Sequence, residues 1–142
     1  MGQTDTFRRQ HQEILGLVKE LQPQLNAVSL RDAAGVTTGL QRLATMLKAH
    51  LALEDSTLYP KLMTHADPAV AATARRYQQE IGGLQTAFSN YLERWPTASS
   101  IQQEPDLFVS QTQQVVAALL ARIEREDGEL YPMADRSSPL ET

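Results

Sequence analysis

Apolar residues recur at steps of three and four along most of the chain, which is the period of one face of an α-helix. In the N-terminal segment the inward series is Phe7, His11, Ile14, Val18 and Leu21. Alternating β-branched runs and Asn-Gly turns, which are typical of strands and hairpins, do not occur. The pattern therefore predicts an all-α protein.

Start and stop signals divide this pattern into four helices. The predicted spans are Thr4 or Asp5 to about Leu25, Ser29 to about Met63, Asp67-Pro68 to Trp95-Pro96, and Glu104-Pro105 to about Tyr131. Short first and second connections make neighbouring helices antiparallel. The sequence thus predicts an up-down-up-down antiparallel four-helix bundle.

Prolines and polar stretches mark the expected irregularities of this bundle. Pro60 is expected to bend the second helix, and Pro132 is expected to end or kink the fourth. The segment from Thr97 to Gln103 is predicted to be the longest loop. We expect one bundle domain over residues 1–136 and a flexible tail over residues 137–142.

Composition restricts the chemistry that a chain of 142 residues can carry. Cysteine is absent, so any metal ion must be held by histidines and carboxylates. The net charge is -4 and the 13 Lys and Arg residues are scattered, which argues against a nucleic-acid partner. No apolar run is long enough for a signal core or a membrane span, so we expect no membrane partner and a cytoplasmic location.

The chain contains an internal duplication. HQEILGLVKEL, which begins at His11, parallels QQEIGGLQTAF, which begins at Gln78. HLALEDSTLYP, which begins at His50, parallels RIEREDGELYP, which begins at Arg122. The two pairs occur in the same order, so we infer two helical hairpins related by pseudo-symmetry.

Polar side chains interrupt the predicted inward stripe at six positions. These positions are His11, His50, Glu54, Gln78, Arg122 and Glu126. Burying an unpaired ionised group costs several kcal/mol, so something must compensate these charges. Two imidazoles and two carboxylates that converge inside a bundle suit a divalent ion such as iron, manganese or zinc.

The motif pair resembles the hemerythrin-like (HHE cation-binding) family. In that family histidines lie on the first and third helices, and His-x-x-x-Glu precedes Leu-Tyr-Pro on the second and fourth. The resemblance covers nearly the whole chain and implies a diiron centre. It assigns His11 and His50 to one iron and Glu54 and Glu126 to the bridging carboxylates.

The second half of the motif departs from the family pattern. Gln78 and Arg122 stand where the family places the other iron's histidines. Arginine has no lone pair to donate, so it cannot bind a cation. We hypothesise that the Arg122 guanidinium lies in the vacated second site and donates hydrogen bonds to Glu54, Glu126 or both. The prediction is a degenerate diiron site that holds at most one metal.

Two arrangements remain open on these residues. In the first, one divalent metal binds His11, His50, Glu54 and Glu126, with iron as the first candidate and zinc or manganese as alternatives. In the second, no metal is bound, and Arg122 and the histidines balance both glutamates.

Three functions follow from these arrangements. The first is a cation-binding protein that senses, stores or binds metal, oxygen or nitric oxide. The second is a metal-free interaction or regulatory module for a homodimer or a protein partner. The third is a mononuclear iron enzyme, for which the sequence offers no pocket and no assignable catalytic residue.

Neighbouring residues are assigned no chemistry from the sequence. Tyr59 and Tyr131 are interpreted as structural ends of their helices. Asp55 and Asp127 are expected to face away from the inward stripe. His65 is expected in a solvated loop.

Overall fold

A computed structural model of the chain describes residues 4–26 and 29–136. Across these residues the backbone forms helices and turns and no β-strand, which confirms the all-α prediction. The helices are α1 (Asp5–Leu21), α2 (Ala34–Leu53), α3 (Tyr59–Met63), α4 (Pro68–Arg94), α5 (Ala98–Gln103), α6 (Pro105–Arg125) and α7 (Tyr131–Arg136). The predicted tail over residues 137–142 lies outside the described residues.

Two π-helical turns join the helices at equivalent places in the duplication. Glu54–Leu58 connects α2 to α3, and Glu126–Leu130 connects α6 to α7. In each turn the backbone N–H of the following tyrosine donates to the glutamate carbonyl five residues earlier. Neither turn was predicted.

The prolines after these turns do not end the helical path. Pro60 and Pro132 are each the second residue of a new α-helical segment. A missing N–H is tolerated in the first turn of a helix, because that N–H has no partner within the helix. Of the two outcomes expected at Pro132, an end or a kink, the structure does not show the end, since helix α7 continues to Arg136.

The predicted loop from Thr97 to Gln103 is also wrong, because α5 occupies it. Thr97 Oγ1 accepts a hydrogen bond from the Ser100 backbone N–H at 3.1 Å, and Ser100 Oγ accepts one from the Thr97 N–H at 3.3 Å. This capping box starts a helix in a segment that composition suggested was irregular.

The long helices bury a shared apolar core. Helix α1 packs on α2, α4 packs on α6, and α1 also contacts α6. Buried side chains such as Ile14, Leu43, Ile81 and Leu119 belong to a single cluster. The up-down-up-down order of the bundle stays a prediction. Within the described ranges no helix combines the length and apolarity that crossing a bilayer requires.

Candidate metal centre

Two histidine side chains meet inside the bundle. His11 comes from α1 and His50 from the last turn of α2, and both are almost fully buried. Their Nε2 atoms lie 3.1 Å apart. Both positions follow the predicted inward stripe, so the helical register places them as expected.

The other ring nitrogens of these histidines are held by acceptors. His11 Nδ1 lies 2.9 Å from Asp127 Oδ1, and His50 Nδ1 lies 2.7 Å from Gln10 Oε1. A carboxylate or amide oxygen can only accept, so each Nδ1 carries the hydrogen. In the neutral rings both Nε2 atoms therefore present lone pairs toward each other, which is the tautomer that binds metals through Nε2.

The contact of Asp127 with His11 corrects the expectation that this carboxylate faces away. Asp127 lies in the π turn that begins at Glu126. The carboxylate accepts the hydrogen of His11 Nδ1, a tertiary contact that helical register does not predict. The equivalent Asp55 is exposed, as expected.

Glu126 completes a cluster with the histidine pair. Its Oε1 lies 2.9 Å from His11 Nε2 and 3.7 Å from His50 Nε2. One ligand atom from each of these three buried residues lies within 4.8 Å of the other two. The three side chains could therefore hold a single metal ion.

Glu54 borders the cluster and is fully buried. Its Oε1 lies 3.2 Å from His50 Nε2 but makes no hydrogen bond, and its Oε2 accepts the Tyr131 hydroxyl at 2.8 Å. An unbonded carboxylate oxygen at this depth is costly without a proton or cation near it.

Arg122 fills the opposite half of the duplicated arrangement. Its Nε donates to Glu126 Oε2 at 3.2 Å, and its Nη2 donates to the Tyr59 hydroxyl at 2.7 Å and the Tyr77 carbonyl at 2.9 Å. The guanidinium carbon lies 4.7 Å from the centre of the Tyr77 ring. Of the two glutamates named in the sequence hypothesis, Glu126 is the one that Arg122 contacts directly.

The prediction that Gln78 occupies the core is wrong. Gln78 is only half-buried, whereas its neighbour Tyr77 is completely buried. The Tyr77 ring takes the inward position because it covers the Arg122 guanidinium, and cation–π contact favours an aromatic ring there. The other five polar positions of the predicted stripe are buried.

The two tyrosines of the repeated Leu-Tyr-Pro motif lie in opposite halves of the duplicated arrangement. Tyr59 contacts Arg122, and the Tyr131 hydroxyl lies 3.2 Å from His11 Nε2. The sequence alone predicted only a structural role for both. The sequence contains a signal that links each tyrosine to the polar cluster, because each tyrosine follows its glutamate by five residues in both copies of the motif.

Burial and neighbouring charges shift the pKa values of the clustered residues in different directions. Burial lowers the pKa of His50, but the neighbouring carboxylates of Glu126 and Glu54 outweigh it and raise that pKa to about 9. Burial raises the pKa of Glu54. Burial also acts to raise the pKa of Glu126, but the histidines and the Arg122 charge hold it well below its usual range.

The donor set fits a small cation. Bonds of about 2.1 Å at angles of 90° to 109° place neighbouring ligand atoms about 3.0 to 3.4 Å apart. The 2.9 and 3.1 Å separations from His11 Nε2 to Glu126 Oε1 and His50 Nε2 are close to this range. The adjoining cavity measures only about 10 Å³, which is room for about one water molecule and not for an organic substrate.

Comparison with known proteins agrees with this geometry. No curated protein and no solved structure shows a significant match to the chain. The family model described as the hemerythrin HHE cation binding domain matches residues 2–134. The chain therefore belongs to the hemerythrin HHE cation-binding domain family.

Proposed function

We propose that the chain binds one divalent cation per molecule through His11, His50 and Glu126, with Glu54 beside them. The supporting observation is the convergence of two buried imidazole Nε2 atoms and a carboxylate oxygen on one point. Iron is the first candidate, because imidazole with carboxylate suits it, and zinc and manganese are alternatives. When bound, the ion supplies positive charge that the two buried glutamates require.

Arg122 limits this centre to one ion in our proposal. Glu126 faces the histidines with Oε1 and Arg122 with Oε2. The guanidinium thus takes the place of a second cation on the far side of the same carboxylate, and its charge opposes binding of another one. A diiron centre is accordingly not proposed, and the physiological role is that of a metal-linked binder or sensor of metal, oxygen or nitric oxide.

A second candidate is a metal-free interaction module. It is favoured by the raised pKa of His50, because one added proton on this imidazole also supplies a positive charge between the glutamates. In this state His50 donates through both ring nitrogens and the network closes without an ion. The surface of the bundle would then carry the function through a homodimer or a protein partner.

Metal content separates the two candidates. The chain is purified without a metal-affinity tag, and metals per chain are measured by elemental analysis together with the His50→Ala and His65→Ala variants. His65 is the matched control because it lies outside the cluster, where its Nδ1 accepts the Asp67 N–H. We expect close to one ion in the wild type and in His65→Ala, and loss of the ion in His50→Ala.

Other outcomes lead to different conclusions. Two ions per folded chain would contradict the proposed role of Arg122. An ion-free wild type that remains folded and monodisperse would favour the metal-free module and direct the search to protein partners.

A further inference from the structure

A fourth donor atom lies beside the three that the proposed function uses. Tyr131 Oη lies 3.2 Å from His11 Nε2 and 3.4 Å from His50 Nε2. The same oxygen lies 3.3 Å from Glu126 Oε1. Tyr131 is completely buried, so its hydroxyl has no access to bulk solvent.

These four atoms form a compact tetrahedron. The three edges that do not include Tyr131 measure 2.9, 3.1 and 3.7 Å, and the three that include it measure 3.2, 3.3 and 3.4 Å. A tetrahedral ion with bonds of about 2.0 to 2.1 Å requires edges of about 3.3 to 3.4 Å. The edges that Tyr131 contributes match this requirement at least as closely as the others.

We propose that Tyr131 is the fourth ligand of the ion, and that its Oη completes a tetrahedral set with His11, His50 and Glu126. This inference rests on the proposed function. It differs from the assignment carried over from the family resemblance, in which Glu54 belongs to the ligand set and no tyrosine does.

Glu54 has a separate part in this arrangement. A tyrosine binds a cation strongly only after it has lost its hydroxyl proton. Glu54 Oε2 accepts that hydroxyl at 2.8 Å, so it is placed to take the proton. The Oη–H bond of Tyr131 breaks, an O–H bond forms on Glu54, and no electron is transferred. Glu54 then donates the same hydrogen bond back to the phenolate oxygen.

The duplication provides a matched control. Tyr59 occupies the equivalent position in the other Leu-Tyr-Pro motif and is equally buried. Its hydroxyl accepts from Arg122 Nη2 at 2.7 Å and faces the half without histidines. Tyr59→Phe and Tyr131→Phe therefore remove the same atom from the same kind of environment, and only the second removes the proposed ligand.

The test uses the full chain loaded with ferric iron, because a phenolate bound to Fe(III) gives a visible charge-transfer band. We expect the band, and phenolate modes in resonance Raman excited within it, in the wild type and in Tyr59→Phe. We expect both to be absent in Tyr131→Phe. Zinc affinity measured by calorimetry should weaken about tenfold or more in Tyr131→Phe and change less than threefold in Tyr59→Phe.

The outcomes separate this inference from the function on which it rests. A wild type that binds one ion without the band or the phenolate modes would overturn the ligand assignment and leave the proposed function standing. A wild type that binds no ion would remove both. The Raman measurement on the wild type and on Tyr59→Phe decides the matter even if Tyr131→Phe does not fold.

Discussion

Arg122 Nε donates to Glu126 Oε2 at 3.2 Å, and both side chains are almost completely buried one helical turn apart. The other oxygen of Glu126 faces the histidine pair. A single carboxylate therefore separates a fixed protein cation on one side from a candidate metal position on the other.

Removing the fixed cation should destabilise the fold. In Arg122→Met the hydrocarbon volume is largely kept, but Glu126 loses the buried guanidinium that balances its charge. We expect the free energy of unfolding to fall by about 3 to 5 kcal/mol, as measured by urea denaturation in the presence of a chelator. The control is Arg42→Met, because Arg42 pairs with Glu20 at 3.8 Å on an exposed surface. That variant should change stability by less than about 1 kcal/mol, and equal losses in both would contradict the proposed role of Arg122.

Restoring the missing donors should restore a second cation site. The double variant Tyr77→His, Arg122→His places imidazoles at the two buried positions of the half that lacks histidines, and it removes the opposing charge. We expect elemental analysis to rise from about one ion per chain to about two. The single variant Tyr77→His should remain at one, because Arg122 is still present. A second ion in that single variant would show that Arg122 does not limit the stoichiometry.

The contact between Asp127 and His11 Nδ1 should strengthen metal binding. Asp127→Asn removes the negative charge beside His11 Nδ1 but keeps an oxygen that can accept its hydrogen bond. We therefore expect zinc to bind about tenfold more weakly. This is the lower end of the loss in affinity that is typical when the hydrogen-bond partner of a ligating histidine is changed. Asp55→Asn changes the equivalent exposed residue of the other motif and should leave affinity unchanged. Similar affinities for the two variants in calorimetry would argue against a role for Asp127.

Stability of the metal-free protein should decrease in mildly alkaline solution. The folded-state pKa of His50 is raised from 6.5 to about 9, so the protonated imidazole stabilises the fold below pH 6.5. This contribution is lost as the pH rises through about 9. We expect the free energy of unfolding, measured with a chelator, to fall by up to about 3 kcal/mol between pH 6 and pH 9.5.

His50→Gln is the control for this titration, because glutamine cannot gain the proton. Its stability should vary much less over the same range. Saturating zinc should reverse the trend in the wild type, since protons compete with the ion for the same nitrogen. A wild type and a His50→Gln variant with parallel pH profiles would exclude His50 as the source.

Helical periodicity and the duplication predicted much of this molecule. His11, His50 and Glu126 were placed correctly because burial along a regular α-helix follows its register. Tyr131 was misassigned because it directly follows a π turn, where that register changes. Asp127 was misassigned because its contact with His11 is tertiary. Gln78 was misplaced for a different reason. The inward position beside it is taken by a tyrosine that packs on Arg122, a tertiary contact that no local pattern reveals.

The π turn after Glu126 decides which side chains of this helical segment can face the histidine pair. Residues five apart on a regular α-helix point about 140° away from each other, so a tyrosine following Glu126 at that distance would face elsewhere. The five-residue hydrogen bond from the Tyr131 N–H to the Glu126 carbonyl shifts that angle and turns the phenol inward. The π turn thus places Glu126 and Tyr131 on one side of a continuous helical path, where both side chains reach the histidine pair.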